Sequence, residues 1–338
     1  MKYCVLITDL SHFVAQAVAV GLLREGYRVI GLVDQPAFIE PVGELIKDHV
    51  KDTASLNIKH LENHTLATKE AMLEHCDIIF HILPPPPILS EKGRMNWVRS
   101  LHHETLQWLE AAEHKNIHKF VHTSSILSLR YNMKDPTVHL IDGQSLAIPQ
   151  WETLTPFATQ VVKSDLANWS YVSAKKLESI FTAVYIPTIF GHFKGYSTTP
   201  FIRLMQKMAD GQFLFLPKIE WPGIDIEDVV KTHLEMINND MLMNKRLILA
   251  DETMSLMNVK DIMVSLKPSL KKNMPRLTPT ALFSPILKQF VPQHKMIMDE
   301  LSNKVVANSK YTRELLQTTF IPVEDALVKT LKDIIESL

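Results

Sequence analysis

The sequence predicts an α/β fold, a doubly wound parallel sheet with a smaller C-terminal lobe. Three observations carry that prediction. Short, β-branched apolar runs alternate with helix-patterned stretches through the first half of the 338 residues. Those runs are apolar at successive positions, as in strands covered on both faces. Hydrophobic residues make up 46% and charged residues 22%, the balance of a folded chain with a sizeable core.

In order, the pattern gives a strand over 3–8, a helix over 13–24 ending before Gly26, a strand over 28–33 and a weaker one over 56–60. A helix over 65–75, a strand over 77–83, a longer helix over 95–114 and a strand over 119–124 follow. Right-handed crossovers turn such a series into a sheet with helices on both faces. Pro84-Pro85-Pro86-Pro87 ends the strand before it and holds an extended loop. The second half is less regular: helices over 171–180, 200–210, 229–237, 259–266 and 323–338, and a strand over 182–187. Domain organisation follows: a core over 1–180 with returning elements from 181–250, and a lobe drawn mainly from 181–338.

Charge excludes some functions. Lys+Arg 36 against Asp+Glu 37 gives no bulk attraction for nucleic acid or an acidic membrane. Cys4 and Cys76 are too few for a disulfide framework, and two reduced thiols are expected. No stretch has the length of a membrane span, and the N-terminus lacks a signal-peptide pattern, so a cytoplasmic protein is expected. Residues 282–298 read as a lid or cap helix, with membrane-surface contact as the alternative. The 15 histidines show no zinc-ligand spacing. Methionines cluster at 205–208, 236–243 and 296–298, as core filling or as an adaptable pocket lining.

Chemistry-bearing residues stand in a definite order. Thr123-Ser124-Ser125 follows a strand end, where open α/β sheets bind ligands. Tyr171-Val172-Ser173-Ala174-Lys175 is a Tyr-x-x-x-Lys element that puts a phenol and an amine one helical turn apart. Cys76-Asp77-Ile78-Ile79-Phe80-His81 precedes them. Ile186-Pro187-Thr188-Ile189-Phe190-Gly191, Ile224-Asp225-Ile226-Glu227-Asp228-Val229 and Ser309-Lys310-Tyr311-Thr312-Arg313-Glu314-Leu315 follow. On this ordered set the chain resembles, over nearly its whole length, the extended short-chain dehydrogenase/reductase (epimerase/dehydratase) family. Within it, the chain is most similar to the dihydroflavonol-reductase and 3β-hydroxysteroid-dehydrogenase-like branch.

The resemblance implies a Rossmann-type core, a C-terminal substrate lobe, NAD or NADP as cofactor, and often a homodimer through two long helices. It also implies site roles: Tyr171 as proton donor or acceptor, Lys175 tuning it, and Ser125, with Ser124 as second choice, orienting a carbonyl. A free phenol, with pKa of about 10, needs such a cation to exchange protons near neutrality. The cofactor side maps onto Thr8, Asp9, His12, Phe13, Asp34 and Pro187, with Asp34 equally readable as a turn residue.

The glycine-rich turn departs from the family. Its three glycine positions hold Asp9, His12 and Ala15, in a chain with only 10 glycines. An imidazole at the second position fills the space where backbone N–H groups approach a pyrophosphate. A carboxylate about 4 Å from a phosphate costs ~1–4 kcal/mol. Asp9 or Ser11 capping the following helix in place of a phosphate would account for the change. Further departures are Leu101 at the family's Asn position, Ile186 at its substrate-side Arg, and the four-proline run in place of small residues.

The leading functional expectation is an NAD(P)-dependent oxidoreductase acting on a carbonyl or hydroxyl of a small, mostly apolar substrate. One alternative is a cofactor-impaired relative that binds, senses or scaffolds. Another is a nucleotide-sugar epimerase or dehydratase, for which Lys271, Lys272 and Arg276 are the candidate diphosphate clamps.

Overall fold

A computed structural model of the chain describes residues 2–85, 90–129, 138–140, 151, 154–192, 199–213, 216, 220–250, 252–275 and 305–336. Seven parallel strands form the main sheet: β1 (Cys4–Ile7), β2 (Arg28–Val33), β3 (Leu56–His60), β4 (Ile78–Ile82), β5 (Lys119–Ser125), β7 (Phe181–Ile186) and β10 (Arg246–Ile248). Their order is β10-β7-β5-β4-β1-β2-β3, so the winding reverses between β1 and β4. That is the doubly wound arrangement expected, and its switch point sets where a ligand crevice opens. Short strand β6 (Val138–Leu140) pairs with β12 (Val305–Ala307), and β8 (Thr188–Phe190), β9 (Glu220–Asp225) and β11 (Thr253–Ser255) make a small second sheet.

The central strands are buried because their residues are apolar on both faces: β4, Ile-Ile-Phe-His-Ile, has no exposed position. Helix α1 (Phe13–Arg24) is buried from Phe13 to Leu23. On the same flank as α1 runs α7 (Ile226–Asn238), capped by the Asp225 carboxylate on Glu227 N. The other flank carries α4 (Glu91–His114) and α5 (Pro156–Ala174), which lie side by side. Smaller helices complete the chain: α2 (Ile39–Lys47), α3 (Leu66–Met72), α6 (Pro200–Ala209), α8 (Leu256–Leu266), α9 (Lys310–Leu316) and α10 (Val323–Glu336).

The largest departure from the sequence reading is α5. The helix expected over 171–180 instead begins at Pro156 and is finished by Ala174. Thr155 caps it, accepting from Ala158 N at 3.1 Å, and Pro156 occupies the first turn, where a missing N–H costs nothing. Residues 39–47 form a helix that the pattern did not signal.

Glycines go to close packing. A Cβ on Gly31 would meet Leu10 Cδ2 at 2.3 Å, so this glycine lets the turn after β1 lie flat on β2. Gly191 sits at φ +112°, after β8, where a side chain would also strike Asp225 Oδ1. Its N–H donates to Thr330 Oγ1 of α10 at 2.7 Å, and that hydroxyl lies 3.1 Å from the Gly191 carbonyl. Lys329, one residue earlier, pairs with buried Asp225 at 3.3 Å.

The methionines of the 205–208 and 236–243 clusters are core filling: Met205, Met208, Met236 and Met243 are buried, and Met241 is exposed. Cys4 and Cys76 are both free thiols. Residues 282–298, Met296–Met298, Arg276, Pro86 and Pro87 lie outside the described residues. No described helix is long and apolar enough to cross a membrane.

Candidate functional site

A cavity of about 340 Å³ opens at the carboxyl ends of β4, β5 and β7. Its walls come from the first turn of α1, the loop after β4, α4, the end of β5, α5 and the segment from Ile186 to Ile189. This is where the topology places a ligand site.

Ser125 ends β5, beside Ile186 in register, and lines the cavity with Ser124. Its Oγ accepts from Leu127 N at 3.2 Å, which fixes the turn, while Ser124 Oγ lies 3.0 Å from Ser128 Oγ. Leu101 and Ile186, the two departures noted on the substrate side, are also wall residues.

Tyr171 and Lys175 are not brought to this site, and the sequence assignment is corrected here. Helix α5 descends from the carboxyl edge of the sheet toward the opposite edge, where it must hand over to β7. Its cavity-facing residues are Phe157, Val161, Ser164, Asp165 and Asn168. Tyr171 lies fourteen residues beyond Phe157, about 21 Å along the axis at 1.5 Å per residue. It packs, half-buried, against the core on the α4 flank, near Glu110 and Glu113 of the C-terminal part of α4. Lys175 is the helix C-cap; its Nζ is 3.2 Å from Glu113 Oε2 and 5.7 Å from the Tyr171 ring centre. Nor is the phenol activated: burial raises its pKa, with the nearby Lys175 charge opposing and Glu110 and Glu113 adding to the rise. At the positions one turn apart that do face Ser125's cavity stand Phe157 and Val161, neither of which carries an exchangeable proton.

Polar groups deeper in the cavity escaped the sequence reading. His122 of β5 is 1% exposed, burial holds its pKa down to about 4, and its Nδ1 has no hydrogen-bond partner. It stacks on His81, whose ring is locked between Thr8 Oγ1 (2.8 Å) and Thr105 Oγ1 (2.9 Å). His102 of α4 meets Asn168 Oδ1 at 2.9 Å. Asp165 accepts from Tyr185 Oη at 2.7 Å and from Arg246 at 3.0 Å; burial raises its pKa to about 6, with Arg246 opposing. The missed signal was Thr155-Pro156, which marks where α5 begins and hence which residues face inward.

On the cofactor side, Phe13 and Pro187 line the cavity, and Thr8 is buried against His81. Asp34 is exposed just past β2. Asp9 Oδ1 accepts from Ser11 N (2.9 Å) and Ser11 Oγ (2.6 Å). It thus closes its own turn and does not cap α1. The N-cap of α1 is His12, and its side chain makes no cap bond. Instead His12 Nε2 lies 3.1 Å from the Ile82 carbonyl oxygen. No group of metal-ligating residues occurs among the described residues.

A family model, the NAD dependent epimerase/dehydratase family, matches residues 5–248. The chain belongs to that family. Its class is therefore that of the NAD(P)-dependent extended short-chain oxidoreductases, and the epimerase/dehydratase fold is the one described above. Among solved structures, Gre2 in complex with NADPH from Candida albicans is 19% identical with a TM-score of 0.76, 99% of each chain being covered. Vestitone reductase from alfalfa (Medicago sativa) is 14% identical with a TM-score of 0.73 over 99% of each chain. Bordetella bronchiseptica WbmH in complex with NAD+ is 13% identical with a TM-score of 0.71 over the same shares. At such identities what is shared is the fold. Among curated proteins no sequence matches significantly.

The family's description as NAD dependent makes a nicotinamide dinucleotide the cofactor to test against this chain. The residues of the β1–α1 turn do not fit its diphosphate in the arrangement described. The second glycine position carries a ring, 7% exposed, that fills the turn, and the first carries a carboxylate.

Proposed function

We propose that this chain binds, in the cavity beside Ser125, a small and mostly apolar molecule bearing one carbonyl or hydroxyl oxygen, which Ser125 hydrogen-bonds. The observation that carries the reading is the lining: Phe157, Val161, Trp97, Ile189 and Phe201 supply apolar wall around a few hydroxyls. Among the described lining residues there is no lysine or arginine, so a nucleotide sugar's diphosphate finds no clamp there. Lys271 and Lys272 end the turn Pro268–Lys272, away from the lining. Within the oxidoreductase class of the family, the ligand's oxygen-bearing carbon is the atom at which the chain would act. The same reading assigns the core to residues 1–180, the ligand-covering part mainly to 181–338, and a cytoplasmic homodimer as the working form.

A second reading, ligand binding without turnover, is favoured by Phe157 and Val161, which place neither a phenol nor an amine on the first turns of α5 at the cavity.

Displacement of a fluorescent apolar probe by cyclohexanone, cyclohexanol and cyclohexane tests the proposal. Saturable displacement by the oxygenated pair is expected, weakened about fivefold in Ser125→Ala for one lost hydrogen bond, with cyclohexane unaffected. Failure of every ligand to displace the probe removes the reading. Nicotinamide absorbance with the ligands that bind then separates turnover from binding alone.

A further inference from the structure

In a sheet wound both ways, the crevice between the two central strands is where a dinucleotide crosses, its diphosphate over the amino end of the first helix. Here those strands are β1 and β4. His12 stands between them. Its backbone is the N-cap of α1, on the β1 side, in extended conformation (φ -120°, ψ 158°). Its ring reaches to the last residue of β4, where Nε2–H donates to the Ile82 carbonyl at 3.1 Å. With that proton on Nε2, Nδ1 is an acceptor, and it finds no partner. The ring also forms part of the cavity wall, beside Pro84 and Pro85 of the loop after β4.

Two further features bear on the same place. The Asp9 carboxylate, three residues before His12, is held by the Ser11 amide and hydroxyl. It places a negative charge beside the helix end that would receive an anion. Leu10 N donates to Leu32 O at 2.7 Å, and its side chain lies against Gly31, so the turn is fastened down on β2. With the backbone of the turn tied to β2, room for a ligand here has to come from the His12 side chain.

We propose that His12 bolts the cofactor crevice: a dinucleotide seats across the β1–α1 turn only when the imidazole has left Ile82, so His12 sets the affinity of this chain for its cofactor. The proposal goes beyond the cavity reading and touches it in one respect, that the His12 crevice opens into the cavity lined by Ser125. Withdrawing the ring leaves the Ile82 carbonyl without its donor, so every cofactor molecule bound must offset that loss as well as the repulsion from Asp9.

The full chain is titrated with NADH and with NADPH as wild type, His12→Gly and His12→Ser, reading energy transfer from tryptophan to the nicotinamide. Trp97 and Trp221 line the cavity and act as donors. Serine is included because it removes the ring yet is a preferred N-cap, which protects the fold of α1. Both variants are expected to bind at least one dinucleotide about tenfold more tightly than wild type, or more, equivalent to ~1.4 kcal/mol. Equal dinucleotide affinity in all three proteins, whether tight or undetectable, overturns the bolt. Loss of probe binding by the wild type sinks the cavity reading and leaves the bolt standing on its own titration.

Discussion

The two ends of α5 look alike in sequence and differ in everything that matters for chemistry. At its start, Phe157 and Val161 are one turn apart and face a ligand-sized cavity. At its end, Tyr171 and Lys175 are also one turn apart, on nearly the same stripe of the helix. Fourteen residues amount to almost four turns, which return a side chain to within about 40° of its starting direction. The difference is depth. In a parallel sheet the helix that follows β5 starts at the ligand edge and finishes at the opposite one, so only its first turns can serve a site. Spacing tells which residues share a face; topology tells which end of that face can react.

The comparison can be broken most forcibly in the middle of the helix. Asp165 is buried and paired with Arg246 of β10. Arg246→Ala leaves that carboxylate without its cation, and a loss of ~3–5 kcal/mol is expected from thermal or urea unfolding. Lys175→Ala, at the exposed end, should stay within about 0.5 kcal/mol. Similar losses for the two would refute the division drawn here.

Filling the upper end comes next. Val161→Phe should weaken binding of the apolar probe about tenfold or more, ~1.4 kcal/mol, with the fold intact by circular dichroism. Unchanged probe binding would move the ligand elsewhere.

The pH response is a third test. His122 and His233 are held to about 4 by burial, against ~6.5 when unfolded. Their pKa values are depressed in the fold, so their contribution to stability is complete above the unfolded value and lost as pH falls toward about 4. Asp165 and Asp228, raised to about 6 by burial, act in the opposite sense. Their contribution is complete below the unfolded value and lost as pH rises through about 6. His122→Leu removes one depressed group, so its unfolding free energy, from urea melts, should fall less than that of wild type on acidification, by up to ~1.4 kcal/mol per pH unit. Parallel curves would mean that His122 is not held neutral.

The smallest expected effect is the most telling. Tyr171→Phe should leave ligand binding, and any turnover, within about twofold of wild type, with stability changed by less than ~0.5 kcal/mol. A large loss of turnover would return Tyr171 to the chemistry despite its position.

Much of the fold was legible because it depends on patterns the chain carries locally. The strand over 28–33 and the helix over 13–24 fall where periodicity puts them, bounded by Arg28 and Gly26. The site was less so. Ser125 could be read because a strand end precedes it. Phe157 and Val161 could not be recognised by chemical type, since their significance lies in what they lack; only the Thr155-Pro156 cap points to them. His122, Asp165 and Asn168 come together from β5 and α5, a juxtaposition that no local window contains. In the turn after β1 the imidazole at position 12 was legible from the sequence, but the capping role expected of Asp9 was not what formed. Asp9 folds back on Ser11, while His12 reaches to β4.

The Thr330–Gly191 clasp has a practical side. Gly191 directly follows the strand whose Thr188 and Ile189 line the cavity, and its partner stands 139 residues further along the chain. Anything that loosens that distant helix, whether a truncation, a fusion or partial denaturation, is expected to remove the support behind the wall. Probe affinity thus doubles as a gauge of whether the final helix is docked, and a preparation with a frayed tail would be mistaken for one with a damaged pocket.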